Sequence, residues 1–209
     1  MNGFALLSVI LVGAAFAQTS QPAVQSPRDP IRIASLNDGQ FRFARGGKHA
    51  VYDLQSSISG CHGTLYDGGS GQKLGGSVRV RVLDQTLKAG LWYVLMQVTT
   101  NTGCNLQGMC GAGLSEDVIW LKFGAKLKLL THQAAMVEDC ATSTELTRFD
   151  GKRIETQGVI LETPGGVLSL QSKRDDFEKK TTTVTTVRYD RRMAERGLVV
   201  SSAQRPLKP

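Results

Sequence analysis

The sequence predicts an all-β protein, mostly an antiparallel sandwich, with a small closed or OB-like barrel as the alternative. Three observations carry this. Short stretches alternate apolar and polar residues: Ile31-Arg32-Ile33, Phe41-Arg42-Phe43 and, most strictly, Val78-Arg79-Val80-Arg81-Val82. A period of two puts one side of a strand on a core and the other in water, whereas a helix repeats every 3.6 residues. Turn sequences separate the stretches, namely Asp38-Gly39, Asp150-Gly151 and Pro164-Gly165-Gly166. Asp-Gly tolerates the positive φ that tight hairpins require. Finally, the uninterrupted apolar runs, Leu91 to Met96 and Val118 to Leu121, have the length of core strands. Many short strands between glycine-rich turns indicate a sandwich or barrel.

Along the chain, Phe4 to Phe16 is an apolar run with Ser8 as its one polar residue, and Ala15-Phe16-Ala17 is a small-x-small sequence. Such a run is too short to span a membrane and fits a secretory signal peptide, residues 1–17, cleaved between Ala17 and Gln18. No Lys or Arg precedes it, so the α-amino group alone supplies the usual positive charge. Residues 18–30, rich in Pro, Ser and Gln, form an expected flexible linker. The stapled β domain spans residues 31–171 and opens with a hairpin about Asp38-Gly39. Leu91 to Val98 is nearly all apolar and should be a central strand covered on both faces. Val118 to Phe123 is expected to continue through Ala125 to Leu129 as one long or bent strand, with Gly124 as the bend. Leu130 to Cys140 and Arg191 to Arg196 are the only candidate short helices. Val159 to Thr163 and Val167 to Leu170 should flank a third hairpin. Thr181 to Tyr189, dense in Thr and Val, is strand-prone within a basic C-terminal segment, residues 172–209.

Four cysteines remain after the leader: Cys61, Cys104, Cys110 and Cys140. An even number in an exported chain predicts two disulfides. Cys104 and Cys110 share a glycine-rich loop that can turn back on itself, which favours Cys104–Cys110 with Cys61–Cys140. A metal site of Cys61, Cys104, Cys110 and His62 is disfavoured, because five residues separate Cys104 from Cys110 where structural zinc sites place two to four. No metal or cofactor is expected.

The formal charge of +7 is unevenly placed. Ten Lys or Arg and five Asp or Glu fall in residues 172–209, leaving residues 18–171 nearly balanced. A basic segment favours anionic surfaces. Lys173, Arg174, Lys179, Lys180, Arg191 and Arg192 are therefore candidates for a weak polyanion contact. No second apolar run reaches membrane length, so a membrane-spanning protein is not expected.

Residues able to do chemistry are scattered. His49, His62 and His132 lie far apart in sequence, and neither a phosphate-loop spacing nor a nucleophile-elbow spacing is present. The carboxylate pairs Glu116/Asp117, Glu138/Asp139 and Asp175/Asp176 are adjacent, so their side chains diverge on a strand. A hydrolase would have to bring His62 or His132 to the Glu116/Asp117 pair. Trp92 and Trp120 sit in core-like strands. The stretch from Gly103 to Trp120 concentrates two cysteines, four glycines, Asn105, Gln107, Glu116 and Asp117, and those four polar residues form the candidate binding loop. The expected function is a non-enzymatic binding or structural role in the periplasm or outside the cell. A secreted hydrolase, or association with a polyanion or envelope surface, is the alternative.

Overall fold

The computed structural model describes residues 29–36, 39–61, 64–66, 73–76, 78–104, 110, 113–154, 161 and 166–207. The expected leader and nearly all of the linker lie outside these residues, as do Val159–Ile160 and Glu162–Gly165 of the third expected hairpin.

Every strand pairing is antiparallel. The chain begins with a three-stranded sheet, β1 (Arg32–Ser35), β2 (Gln40–Arg45) and β3 (Lys48–Asp53), in which β1 and β2 form the expected hairpin. A small two-stranded sheet, β4 (Thr64–Tyr66) and β5 (Lys73–Gly76), follows. The main sheet then forms from β6 (Arg79–Lys88), β7 (Leu91–Asn101), β8 (Leu114–Phe123), β9 (Leu129–Asp139), β10 (Thr144–Phe149), β11 (Lys152–Arg153), β12 (Val167–Asp176), β13 (Thr181–Asp190) and β14 (Val199–Pro206). Its order is β14-β13-β12-β10-β9-β8-β7-β6, with β11 added on β10. β12 runs through the expected segment boundary at Gln171–Ser172, and β13 and β14 extend the same sheet.

One helix expectation is corrected. Leu130 to Cys140 lies almost wholly in β9, because its neighbour β8 offers an open ladder along Ser115 to Phe123. Arg191–Arg196 is a short helix as expected, of the 3₁₀ type and kinked at Met193. The single bent strand expected over Val118 to Leu129 is two strands. Lys126 and Leu127 take positive φ, and the reversal from Gly124 to Lys128 closes with Gly124 N–H donating to Lys128 O at 2.8 Å.

β7 and β8 are covered on both faces, as the apolar run predicted. Trp92, Val94, Met96 and Val98 of β7 and Ile119, Leu121 and Phe123 of β8 meet Ile31, Phe41, Phe43, Leu54 and Ile58 from the amino-terminal layer. Phe43 and Phe123 rings lie 5.0 Å apart. Tyr52 of β3 ties the layers together, its hydroxyl donating to Leu127 O at 2.7 Å and accepting from Leu129 N–H at 2.9 Å. Alternate residues, Tyr93, Leu95, Val118 and Trp120, face a second core with Leu83, Ala135, Val137, Leu168, Leu170, Val187 and Tyr189.

That second core exists because the main sheet curls until β13 stands against β6. The sheet nonetheless stays open, and the barrel alternative is corrected. A bulge between Val82 and Asp84 turns both Leu83 and Asp84 inward on β6. Asp84 then meets β13 through side chains instead of a backbone ladder. Tyr189 Oη donates to Asp84 Oδ2 at 2.7 Å, and Arg191 Nε stands 3.1 Å from Asp84 Oδ1 in a charge contact. Burial beside the Asp84 charge raises the Tyr189 pKa, so its proton stays in this bond.

The 3₁₀ turn crosses one mouth of this core, accepting a 2.9 Å bond from Trp120 Nε1 at Ala194 O. Gly197 follows with φ +72°, and a Cβ there would collide with Gln133, whose Oε1 accepts from Leu198 N–H at 2.6 Å. Gly197→Ala is expected to lower the unfolding free energy by about 2 kcal/mol or more, from strain and the displaced Gln133. Urea denaturation checks this; an unchanged midpoint would show that the turn has slack.

Candidate functional site

β8 opens and β9 closes in acidic residues, and their antiparallel pairing brings Ser115, Glu116 and Asp117 against Glu138 and Asp139. Glu116 and Asp117 are each 1% exposed, and Glu138 and Asp139 each 3%. As neighbours on one strand, Glu116 and Asp117 point to opposite faces, as expected. Glu116 turns towards the second core and accepts from Gln97 Nε2 at 2.7 Å and from Thr99 Oγ1 at 2.9 Å. Gln97 in turn accepts from Leu161 N–H at 3.0 Å. Asp117 turns towards the amino-terminal layer and accepts from Ser59 N–H at 2.7 Å and Ser59 Oγ at 2.5 Å. Asp139 accepts from Ser115 Oγ at 2.5 Å and from Thr142 N–H at 2.9 Å.

Desolvation dominates the titration of Glu116 and Asp117. It pushes the Glu116 carboxyl up to about 7, with Glu138 adding to the rise and the Gln97 and Thr99 bonds opposing it. It pushes Asp117 up to about 6, against the bonds from Ser59 and with a further rise from Asp139. What the sequence did not reveal was the approach of two acidic pairs across a ladder, since that depends on the β8–β9 register. The available signal was an acidic pair at the start of one strand and another at the end of the next. Among the described residues, no three His, Cys, Asp or Glu side chains are grouped to hold a metal ion.

The two disulfides lie at this end of the sheet. Their expected partners are corrected: Cys61 is bonded to Cys104, and Cys110 to Cys140. Strand neighbours decide the pairing. Cys61 N–H donates to Asn101 O at 2.6 Å, which sets Cys61 beside the end of β7, where Cys104 follows. Gly60 allows this approach, since a Cβ there would collide with Thr100 Oγ1 and Asn101 O. Cys140 follows β9, next to the start of β8, and Gly113 N–H donates to Cys110 O there at 2.9 Å. Each end of the segment between Cys104 and Cys110 is thus fastened to a different neighbour, and its ends are not fastened to each other. Asn105 and Gln107 fall outside the described residues.

The other candidate groups are dispersed. His132 is exposed on β9 opposite Leu121, five register positions from Glu116 and so roughly 17 Å along the ladder. It does not meet the Glu116/Asp117 pair. His49 is exposed on β3, and His62 lies outside the described residues. Trp92 and Trp120 are 4% and 3% exposed, as core residues should be. Four of the six C-terminal cations face carboxylates: Lys173–Asp175 at 2.6 Å, Lys179–Asp176 at 3.0 Å, Arg191–Asp84 at 3.1 Å and Arg192–Asp190 at 3.0 Å. Asp175, Asp176 and Asp190 are held below the usual carboxylate range by the bonds they accept.

These features define an antiparallel β protein stapled by two disulfides, a class suited to an oxidising environment. No helix among the described residues is long and apolar enough to cross a membrane. Compared with known proteins, the chain matches no family model, no curated protein and no solved structure.

Proposed function

We propose that the protein is exported, loses residues 1–17, and acts in the periplasm or outside the cell as a non-enzymatic binding or structural protein. Its contact region is the loop between Cys104 and Cys110, which carries Asn105 and Gln107. The supporting observation is the double anchorage of that loop, through Cys104 to Cys61 and through Cys110 to Cys140. A loop pinned at both ends presents backbone and side chains with less ordering entropy to lose on binding. Glu116 and Asp117, named with the loop from the sequence, are buried in β8 with their carboxylates spent on Gln97, Thr99 and Ser59, and are left out of the contact.

Intact-mass measurement on the protein recovered from outside the cytoplasm tests the first part. The expected mass lacks residues 1–17 and gains four hydrogens on reduction; an uncleaved, cytoplasmic chain would overturn the assignment. A photo-crosslinking residue at Gln107 in the exporting cell tests the second part. It should give adducts that the same residue at Lys152, on the distant Asp150-Gly151 turn, does not. Equal labelling at both positions would count against the loop.

A further inference from the structure

The outer face of the β1–β3 sheet takes no part in the contact proposed above. Phe41 and Phe43 are fully buried, so the strand period turns Arg42 and Ala44 outward. Register places Arg32 of β1 and His49 of β3 on either side of Ala44. The Gly46-Gly47 turn, with φ of +54° and +75°, brings Lys48 back beside Arg45. Ala44 is far shorter than its neighbours, and the result is a depression of about 700 Å³ rimmed by Arg32, Arg42, Lys48 and His49.

The charge of this depression is uncompensated. Asp29 is the one carboxylate lining it, and it is engaged 3.7 Å from Arg45 Nε. Arg45 also donates to Asp29 O at 2.9 Å and lies over the Trp92 ring at 4.5 Å. No carboxylate among the described residues pairs with Arg32, Arg42 or Lys48. The contrast with the C-terminal cations is sharp, because most of those have partners. Unpaired like charges gathered on one face repel, and an anion relieves that repulsion.

Arginine's planar fork gives oxyanions two parallel hydrogen bonds. Diagonal neighbours across a ladder stand about 7–8 Å apart, a spacing suited to successive anionic groups rather than to one small ion. An exposed aromatic that could stack on a base is missing from this face among the described residues, which argues against single-stranded nucleic acid. Val51, 46% exposed, is the only large apolar side chain exposed on this sheet, too little to insert into lipid.

We propose that this face binds a sulfated or phosphorylated polysaccharide, with successive oxyanion groups seated over Ala44 between Arg32, Arg42, Lys48 and His49. This goes beyond the loop contact and stands or falls separately from it.

The test is titration of the full chain, with its bridges intact, against a size-defined heparin oligosaccharide at several salt concentrations. Affinity should fall steeply with salt. The double variant Arg32→Ala/Arg42→Ala should weaken binding by about tenfold or more, as should Ala44→Glu, which fills the depression with a negative charge. Lys173→Ala/Arg174→Ala should leave it unchanged. Thermal melts of each variant confirm folding, and Ala44→Glu keeps the test valid if the double variant fails to fold. Undiminished binding in both face variants, loss on changing Lys173 and Arg174, no binding at low salt, or binding to anionic lipid vesicles without binding to the saccharide would each overturn the proposal.

Discussion

Replacing Cys61 and Cys104 together by serine is expected to lower the unfolding free energy by about 4 kcal/mol. The bridge closes a loop with a sequence separation of 43, and the entropy of closing such a loop in the unfolded chain is of that size. Removing Cys110–Cys140, with a separation of 30, should cost slightly less, also about 4 kcal/mol. Residues 61–104 and 110–140 form two successive loops that do not overlap, so the losses should add. Together they reach most of the roughly 5–15 kcal/mol that stabilises an ordinary domain, and a chain without both bridges is expected to be largely unfolded at 37 °C. Urea denaturation of the two double variants measures this. A loss below about 1 kcal/mol for either bridge would mean that the strand ends hold position without it.

Stability contributed by Glu116 and Asp117 should fall as pH rises from about 4 to 7. A carboxyl whose folded pKa lies above its unfolded value contributes most when protonated. That contribution is complete below the unfolded pKa and is lost as pH rises through the folded one. For Glu116 the window runs from 4.5 to about 7. For Asp117 it runs from 3.8 to about 6. Each shift corresponds to at most about 3 kcal/mol, reached only when the carboxyl ionises without structural relaxation. Asp175 and Asp190 act in the opposite sense. Their lowered pKa values add stability above the ordinary carboxylate range, and that stability is lost on acidification.

Glu116→Gln separates the Glu116 contribution from that of Asp117. An amide of the same shape can still accept from Thr99 and never ionises. The variant should melt like the parent near pH 5 and above it at pH 8, with a flatter profile between. Thermal melts across pH 4.5 to 8.5 measure this. A variant with the parent's full slope would show that Glu116 does not drive the pH dependence.

Much of the architecture was legible because it rests on local rules. Alternation in β2 and β6, the Asp-Gly turns, and the apolar run of β7 each specify their own strands. β9 was less legible: its Gln133, Ala134 and Ala135 lack strand propensity, and pairing with β8 overrides that preference. The disulfide pairing was hidden for a related reason. Sequence proximity of Cys104 and Cys110 suggested a local loop, whereas strand neighbours bring Cys61 to one and Cys140 to the other. Net charge by segment does not tell paired cations from unpaired ones. It drew attention to residues 172–209, where Lys173, Lys179, Arg191 and Arg192 stand beside carboxylates, and away from Arg32 and Arg42, which pair with none among the described residues.

β7 and β8 give the molecule one spine and two flanks. The packing on the amino-terminal side and the packing on the curled side draw on different side chains of the same strands, β7 and β8 above all. Peeling the β1–β3 layer away would strip one side of the spine and leave the other side's contacts in place. The layering therefore predicts that the flanks loosen separately and that the amides of the β7–β8 ladder are the slowest to exchange with deuterated water.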